Sequence, residues 1–315
     1  MRRWALALAG VLVVCTVVRT QTDAQFSQHF AVLGYYNPGA IGTTEDLNLT
    51  ASARIQWLGI EGAPVSIFGM ADRPLRFGKR EYGVGVTVFS ETIGFYRTML
   101  AGGQAAYKRK LWGGLLSIGL QAGFVNISFD GTKVHIPDNE FFQQQDGDIP
   151  KSEVNGTGLD MNAGLFYIRK ELFVGMAMTH LTAPEIKMGE SSGTRLTRGF
   201  NFVGGYNIPT ADPLFEWRPS TFIKTDWQSW TAEVAVRAVY NKMFEGGVSW
   251  RMNESVIMMF GGTLGRLWAG YAYDFPLSAA IRQGSFGSHE IVVRYLIKLD
   301  KSRNGRGKHK SVRIL

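Results

Sequence analysis

The sequence predicts an all-β fold: a transmembrane, antiparallel, up-and-down β-barrel of about fourteen strands with a polar, plugged lumen. Three observations carry that expectation. Polar and apolar residues alternate with period two in segment after segment, as strands with unlike faces require. The chain holds 38 Gly, 20 Phe, 11 Tyr and 8 Trp against only 10 Pro, a mixture rich in strand and turn formers and poor in helix formers. Tight and long connections also take turns along the chain, as in barrels with short periplasmic turns and longer outer loops.

Residues 1–24 read as a signal peptide. Met1-Arg2-Arg3 is a basic start and Trp4 to Val18 an apolar stretch too short to span, while Thr22-Asp23-Ala24 ends in a small residue suited to cleavage before Gln25. The one cysteine, Cys15, lies inside this leader, so a mature chain cut there has no thiol or disulfide. Val14 before it is bulky for a lipoprotein cleavage site. Residues 25–46 form an N-terminal segment of the periplasm or the lumen, 47–299 the barrel, and 300–315 a basic tail.

Strands are expected at 47–57, 64–72, 82–90, 98–108, 112–129, 158–169, 171–181, 197–208, 216–225, 230–240, 243–251, 255–264, 267–275 and 289–299. In the first, Leu47 to Trp57, Asn48, Thr50, Ser52, Arg54 and Gln56 alternate with six apolar residues. A soluble sandwich also alternates, but it seldom turns large apolar side chains outward on nearly every strand. Lipid is the fitting neighbour for that face. About 10 residues rising about 3.3 Å each at a tilt of about 45° cross roughly 23 Å, close to the apolar band of an outer membrane. Lys108-Arg109-Lys110, Arg169-Lys170-Glu171, Asn241-Lys242 and Gly265-Arg266 are the tight inner turns, and 130–157, 182–196 and 276–288 the long outer loops. The eighth connection, Pro209 to Leu214, is longer than the pattern wants.

The net charge of +8 argues little for nucleic acid. Cleavage before Gln25 leaves +6, and Lys301, Arg303, Arg306, Lys308, Lys310 and Arg313 supply six positive charges, with no acid between 301 and 315. Such a run stays solvated or touches an acidic partner. Within the barrel, Arg54, Asp160, Glu233, Arg237, Glu245, Arg251, Asp274, Glu290, Arg294 and Lys298 all take the inward parity. Mixed signs in a confined space pair with one another and do not hold open a water column. Closure makes the first and last strands neighbours, so Arg54 is expected to meet Glu290.

Chemistry has a thin case. Gly189-Glu190-Ser191-Ser192-Gly193 matches G-x-S-x-G, which carries meaning only on a strand-turn-helix, and here it sits between strands. The five His are dispersed without metal-ligand spacing. Asp138, Glu140, Asp146 and Asp148 fit a solvated acidic loop better than a calcium site. No catalytic residue, metal or cofactor is expected.

Several phrases resemble the PorP/SprF family of type IX secretion system membrane proteins. They are Gln25-Phe26-Ser27-Gln28, YYNPGAIGT from Tyr35, RIQWLGIEGAP (Arg54–Pro64), RPSTFIK (Arg218–Lys224), GYAYDF (Gly270–Phe275) and GSHEI (Gly287–Ile291), in the family's order. Gly39 departs from the family's usual Ala-Tyr, and the tail is longer and more basic than the family pattern. The resemblance implies a non-enzymatic component of the bacterial outer membrane, surrounded by its lipid. Its implied partners are a periplasmic lipoprotein ring, a peptidoglycan-linked lipoprotein and the C-terminal domains of cargo proteins. It also marks Asn37, Pro38, Arg54, Gln56, Trp57, Gly59, Gly62, Pro64, Pro219, Lys224, Tyr271, Asp274, His289 and Glu290 as motif positions, whose Gly and Pro shape turns while the charges brace the lumen. A channel for a small solute is the alternative reading, and a barrel enzyme the third.

Overall fold

The computed structural model describes residues 23–134, 150, 152–189 and 192–299. The leader up to residue 22 with Cys15, the acidic positions Asp138, Glu140, Asp146 and Asp148, Glu190 and Ser191 of the serine pattern, and the tail from 300 lie outside them.

The described strands are β1 (Leu47–Ile55), β2 (Val65–Phe77), β3 (Arg80–Ile93), β4 (Tyr96–Leu111), β5 (Gly114–Asp130), β6 (Glu153–Arg169), β7 (Leu172–Thr179), β8 (Glu185–Met188), β9 (Ser192–Arg195), β10 (Gly199–Tyr206), β11 (Ile208–Pro209), β12 (Phe215–Thr225), β13 (Trp230–Tyr240), β14 (Phe244–Arg251), β15 (Ser255–Leu264), β16 (Leu267–Pro276) and β17 (Ser288–Ile297). Fourteen of them pair antiparallel to their neighbours in chain order, and β1 closes the ring on β17. The remaining three are β8 and β9, a separate hairpin, and β11, a two-residue extension beside β12. The weak eighth connection is thereby explained: Ile208 opposite Trp217 continues the β10–β12 pairing after a break at Asn207, and the turn proper shrinks to 210–214.

Alternation becomes two environments. In β1, Asn48, Thr50, Ser52 and Arg54 are buried inside while Leu49 and Ile55 are exposed outside. Val86, Val88, Leu120, Val234, Val248 and Phe260 continue the outer apolar belt. Trp112, Trp217, Tyr240 and Phe244 edge it at the end with the tight turns (the inner mouth), and Trp230, Trp250 and Phe275 edge it towards the long loops (the outer mouth), the places that amphipathic aromatics favour. No helix among the described residues is long and apolar enough to cross a membrane; a closed sheet pairs every spanning backbone group without one.

One inner turn differs from expectation. β4 runs on to Leu111 and reverses at Trp112 (φ 50°) and Gly113 (φ 76°), two left-handed residues that match the twist of a tight hairpin. Lys108 therefore belongs to the strand and lies buried in the lumen. Lys298 differs too: it lies past the end of β17 and is exposed at the inner mouth.

Residues 24–42 fill the barrel. Phe26, Phe30, Val32 and Ile41 are at most 1% exposed, and with Tyr36, Phe68, Phe222 and Ile257 they form the main core. The segment includes a four-residue helix, Leu33–Tyr36, and a 3-10 turn, Pro38–Ala40. A smaller core stands above it at the outer mouth. There β8 and β9, in a segment whose pattern predicts only loop, lay Ile186 and Met188 on Val125 and Ile127.

Candidate functional site in the plugged lumen

The plug descends the whole lumen. Asp23 lies beside Thr179, His180 and Lys224 at the outer ends of β7 and β12, and Gly42 beside Asp72 and Lys108 near the inner mouth. Between these points wall side chains read the plug's backbone. Arg294 donates to the Ala31 carbonyl at 2.7 Å, Gln104 to that of Gly34 at 2.7 Å and Asn201 to that of Tyr36 at 3.2 Å. Lys108 donates to the Gly42 carbonyl, whose residue's N–H meets Asp72 at 2.6 Å. The inward polar face of the barrel thus serves as a lining for a second chain segment, because backbone groups taken from water need partners.

A buried ionic network fastens the upper half. Arg54 contacts Asp274 at 2.7 Å and Glu290 at 3.4 Å, and Arg251 contacts Asp274 at 3.1 Å and Glu233 at 2.9 Å. Ser27 of the plug sits at its centre: its hydroxyl donates to Asp274 and accepts from Arg54 at 2.7 Å and from Arg251 at 3.1 Å. The N–H groups of Ser27 and Gln28 donate to Glu290 at 2.6 and 2.8 Å, a small backbone nest for a carboxylate. His29 adds a 3.3 Å contact to Glu233 and stacks on Phe222. Arg237, paired with Glu245 at 3.2 Å, lies 3.3 Å over the Phe30 ring. Arg54 and Glu290 are direct cross-strand partners, as closure of the ring requires.

The remaining motif positions fall into four places. Asn37 and Pro38 form the elbow of the plug: the Asn37 side chain accepts from Gly39 N–H at 2.8 Å and donates to the Leu165 and Met176 carbonyls of the wall. Gly119 and Gly164, cross-strand partners, clear the space for it. A Cβ on Gly119 would stand 2.2 Å from the Pro38 carbonyl carbon, and one on Gly164 2.0 Å from the Asn37 Oδ1. Replacing Gly119 by valine is expected to cost about 1–3 kcal/mol or more, as overpacking against a backbone does. Faster cleavage of residues 37–42 by added protease would show it; an unchanged rate would mean the elbow has room.

Gln56, Trp57, Gly59, Gly62 and Pro64 stand in the outer β1–β2 loop, tied down by backbone bonds: Gln56 N–H to the Pro64 carbonyl, Leu58 N–H to that of Gly287 and Gly94 N–H to that of Gly62. The Trp57 N–H also donates to the Ser288 hydroxyl. Pro219 is half-buried on the outward face of β12, and Tyr271 and His289 meet at 2.7 Å on the outer surface. Lys224, Arg54, Asp274 and Glu290 take part in lumen contacts. Sequence reasoning read Ser27 and Gln28 only as part of a phrase, and Glu233 and Arg251 only as inward charges. Their partners lie up to 263 residues away. His29 and His180 carried no local signal.

His180 sits just past β7 between Asp23 at 2.8 Å and Asp160 at 3.0 Å. Burial works against its charge, but the two carboxylates win and raise its pKa from 6.5 to about 10. A raised basic pKa gives stability that is full below about 6.5 and is lost as pH rises through about 10. Hydrogen exchange at Gln25–Phe30, corrected for intrinsic rate, is therefore expected to be faster at pH 10.5 than at pH 7. A flat profile would remove His180 from the plug's fastening.

Beneath the plug, a cavity of about 1470 Å³ opens at the inner mouth, lined among others by Thr43, Glu171, Glu216, Lys242, Arg266 and Lys298. No set of His, Cys, Asp and Glu that could hold a metal occurs among the described residues. Ser220, 3.4 Å from His29 Nε2 and buried with it, lies beside the plug and belongs to the contacts that seat it.

Comparison with known proteins fits this geometry. No curated protein sequence matches the chain. Among solved structures, "TodX deltaS2S3 mutant monoaromatic hydrocarbon channel" superposes with a TM-score of 0.51 at 8% identity, covering 88% of this chain and 95% of its own. The Ralstonia pickettii toluene transporter TbuX gives 0.48 at 11%, covering 84% and 92%. At 8% identity the likeness to the first is one of fold alone, that of an outer-membrane barrel. The sequence model described as "Type IX secretion system membrane protein PorP/SprF" matches residues 18–295, nearly the whole barrel with its plug. The chain therefore belongs to the PorP/SprF family and is an outer-membrane component of the type IX secretion system.

Proposed function

We propose that the protein works by holding partners on the two sides of the outer membrane: its inner turns and vestibule anchor periplasmic lipoproteins of the secretion machine, and its outer loops retain the C-terminal domain of cargo. The observation that supports this reading is the plug, bound along the lumen by wall side chains and by the Arg54–Arg251–Asp274–Glu290 network. Breaking that many buried polar contacts on each cycle of passage is costly, whereas a rigid cylinder suits a bracket.

Co-purification from detergent-solubilised envelope, followed by mass spectrometry, tests the proposal. Periplasmic lipoproteins and a cargo carrying a C-terminal secretion domain are expected to remain bound. Recovery of the barrel alone, together with large steady channels in planar bilayers, would favour a solute channel instead. Deleting residues 301–315, with their six positive charges, is expected to lower recovery of the periplasmic components. Unchanged recovery would exclude the tail from that contact.

A further inference from the structure

The sequence places leader cleavage between Ala24 and Gln25, yet the fold uses residues on the leader side of that bond. Asp23 receives His180 Nε2 at 2.8 Å and the Thr179 hydroxyl at 3.1 Å, and its carbonyl accepts from the Lys224 ammonium. Ala24 is 7% exposed, and its carbonyl takes the Tyr36 hydroxyl. We propose that the leader is removed upstream of Asp23, so that Asp23 remains in the mature chain as the clasp that fastens the plug to the outer mouth.

The argument is one of charge. Asp23 and Asp160 face His180, and Asp23, with Glu254 and Glu91 beyond it, faces Lys224, at a site where Lys224 is 4% and Asp160 2% exposed. Cleavage before Gln25 removes one carboxylate and adds an α-ammonium nearby. The site would then shift by two units of positive charge, with Lys224 stripped of the Asp23 carbonyl it donates to. Buried charge without a counter-charge is among the most destabilising things a fold can contain. Cleavage upstream keeps the Asp23 carboxylate and carbonyl in place. Water adds across one peptide bond before Asp23, the leader departs with a new carboxylate, and the mature chain gains one α-ammonium, which the retained carboxylate offsets. Thr20 and Thr22 offer a second pair of smallish residues at the spacing that leader cleavage reads.

The clasp also fixes which way the chain enters. The amino terminus meets the lumen at the outer mouth, although β1 begins at the inner one, because the plug runs between them.

Intact-mass measurement of the protein purified from outer-membrane fractions tests the cleavage position directly. A mature chain that retains Asp23 is the expected result; a chain beginning at Ala24 or at Gln25, free or cyclised, overturns it. Asp23→Asn tests the clasp itself. Added protease on intact cells is expected to trim the variant's first residues at least fivefold faster than the wild type's, with the barrel still folded by its heat-shifted mobility on gels. Equal trimming would show that Asp23 fastens nothing.

Discussion

Replacing Arg251 by methionine is expected to lower the unfolding free energy of the barrel in lipid by about 3–5 kcal/mol. Its guanidinium is 0% exposed and joins Glu233 and Asp274, also buried, to the Ser27 hydroxyl of the plug. Methionine fills part of the volume but leaves three carboxylates with fewer counter-charges: Asp274 keeps Arg54, Glu233 keeps only His29 and the Ser249 hydroxyl, and Glu254, one-third exposed, turns to solvent. Arg76→Met is the control. Its pair with Glu81 at 3.5 Å is half in solvent, with the Arg76 side chain 55% exposed, and such pairs contribute at most about 1 kcal/mol. Urea titration in vesicles, followed by tryptophan fluorescence, compares the two. Similar losses would mean that the network does not hold the plug to the wall.

Excising residues 25–40 should have the other large effect: a protein silent in planar bilayers should become a steady conductor. The wall it leaves behind is lined by Gln104, Asn201, Glu233, Glu290 and Arg294, all 8% exposed or less with the plug in place. Water would replace the plug's backbone as their partner, and mixed charges on a fourteen-strand ring would then face an aqueous path. The variant loses the aromatic core around Phe26, Phe68 and Phe222, so its folding must be verified by heat-shifted gel mobility before conductance is read. A folded variant as silent as the intact chain would place the barrier elsewhere, in the outer hairpin β8–β9 or the loops.

How far the sequence reached is visible in particular residues. The alternation from Leu47 to Ile55 named the buried and exposed faces of β1 residue by residue, and the even count forced β1 against β17, hence Arg54 against Glu290. Turn chemistry was less legible. Lys108 looked like a turn residue because it stands in a run of basic residues, but two left-handed positions four and five residues later set the reversal. The hairpin at 185–195 escaped because its apolar positions, Ile186 and Met188, find their partners on β5.

What the sequence determined by itself was the solvent of each face, the strand number and the closure of the ring, since these follow from side-chain direction along a strand, a property local to two residues. The tertiary structure alone decided what fills the lumen. Ser27, His29 and Asn37 gain meaning from carboxylates, rings and carbonyls brought to them by the closed sheet, and no local pattern encodes contacts made across a barrel.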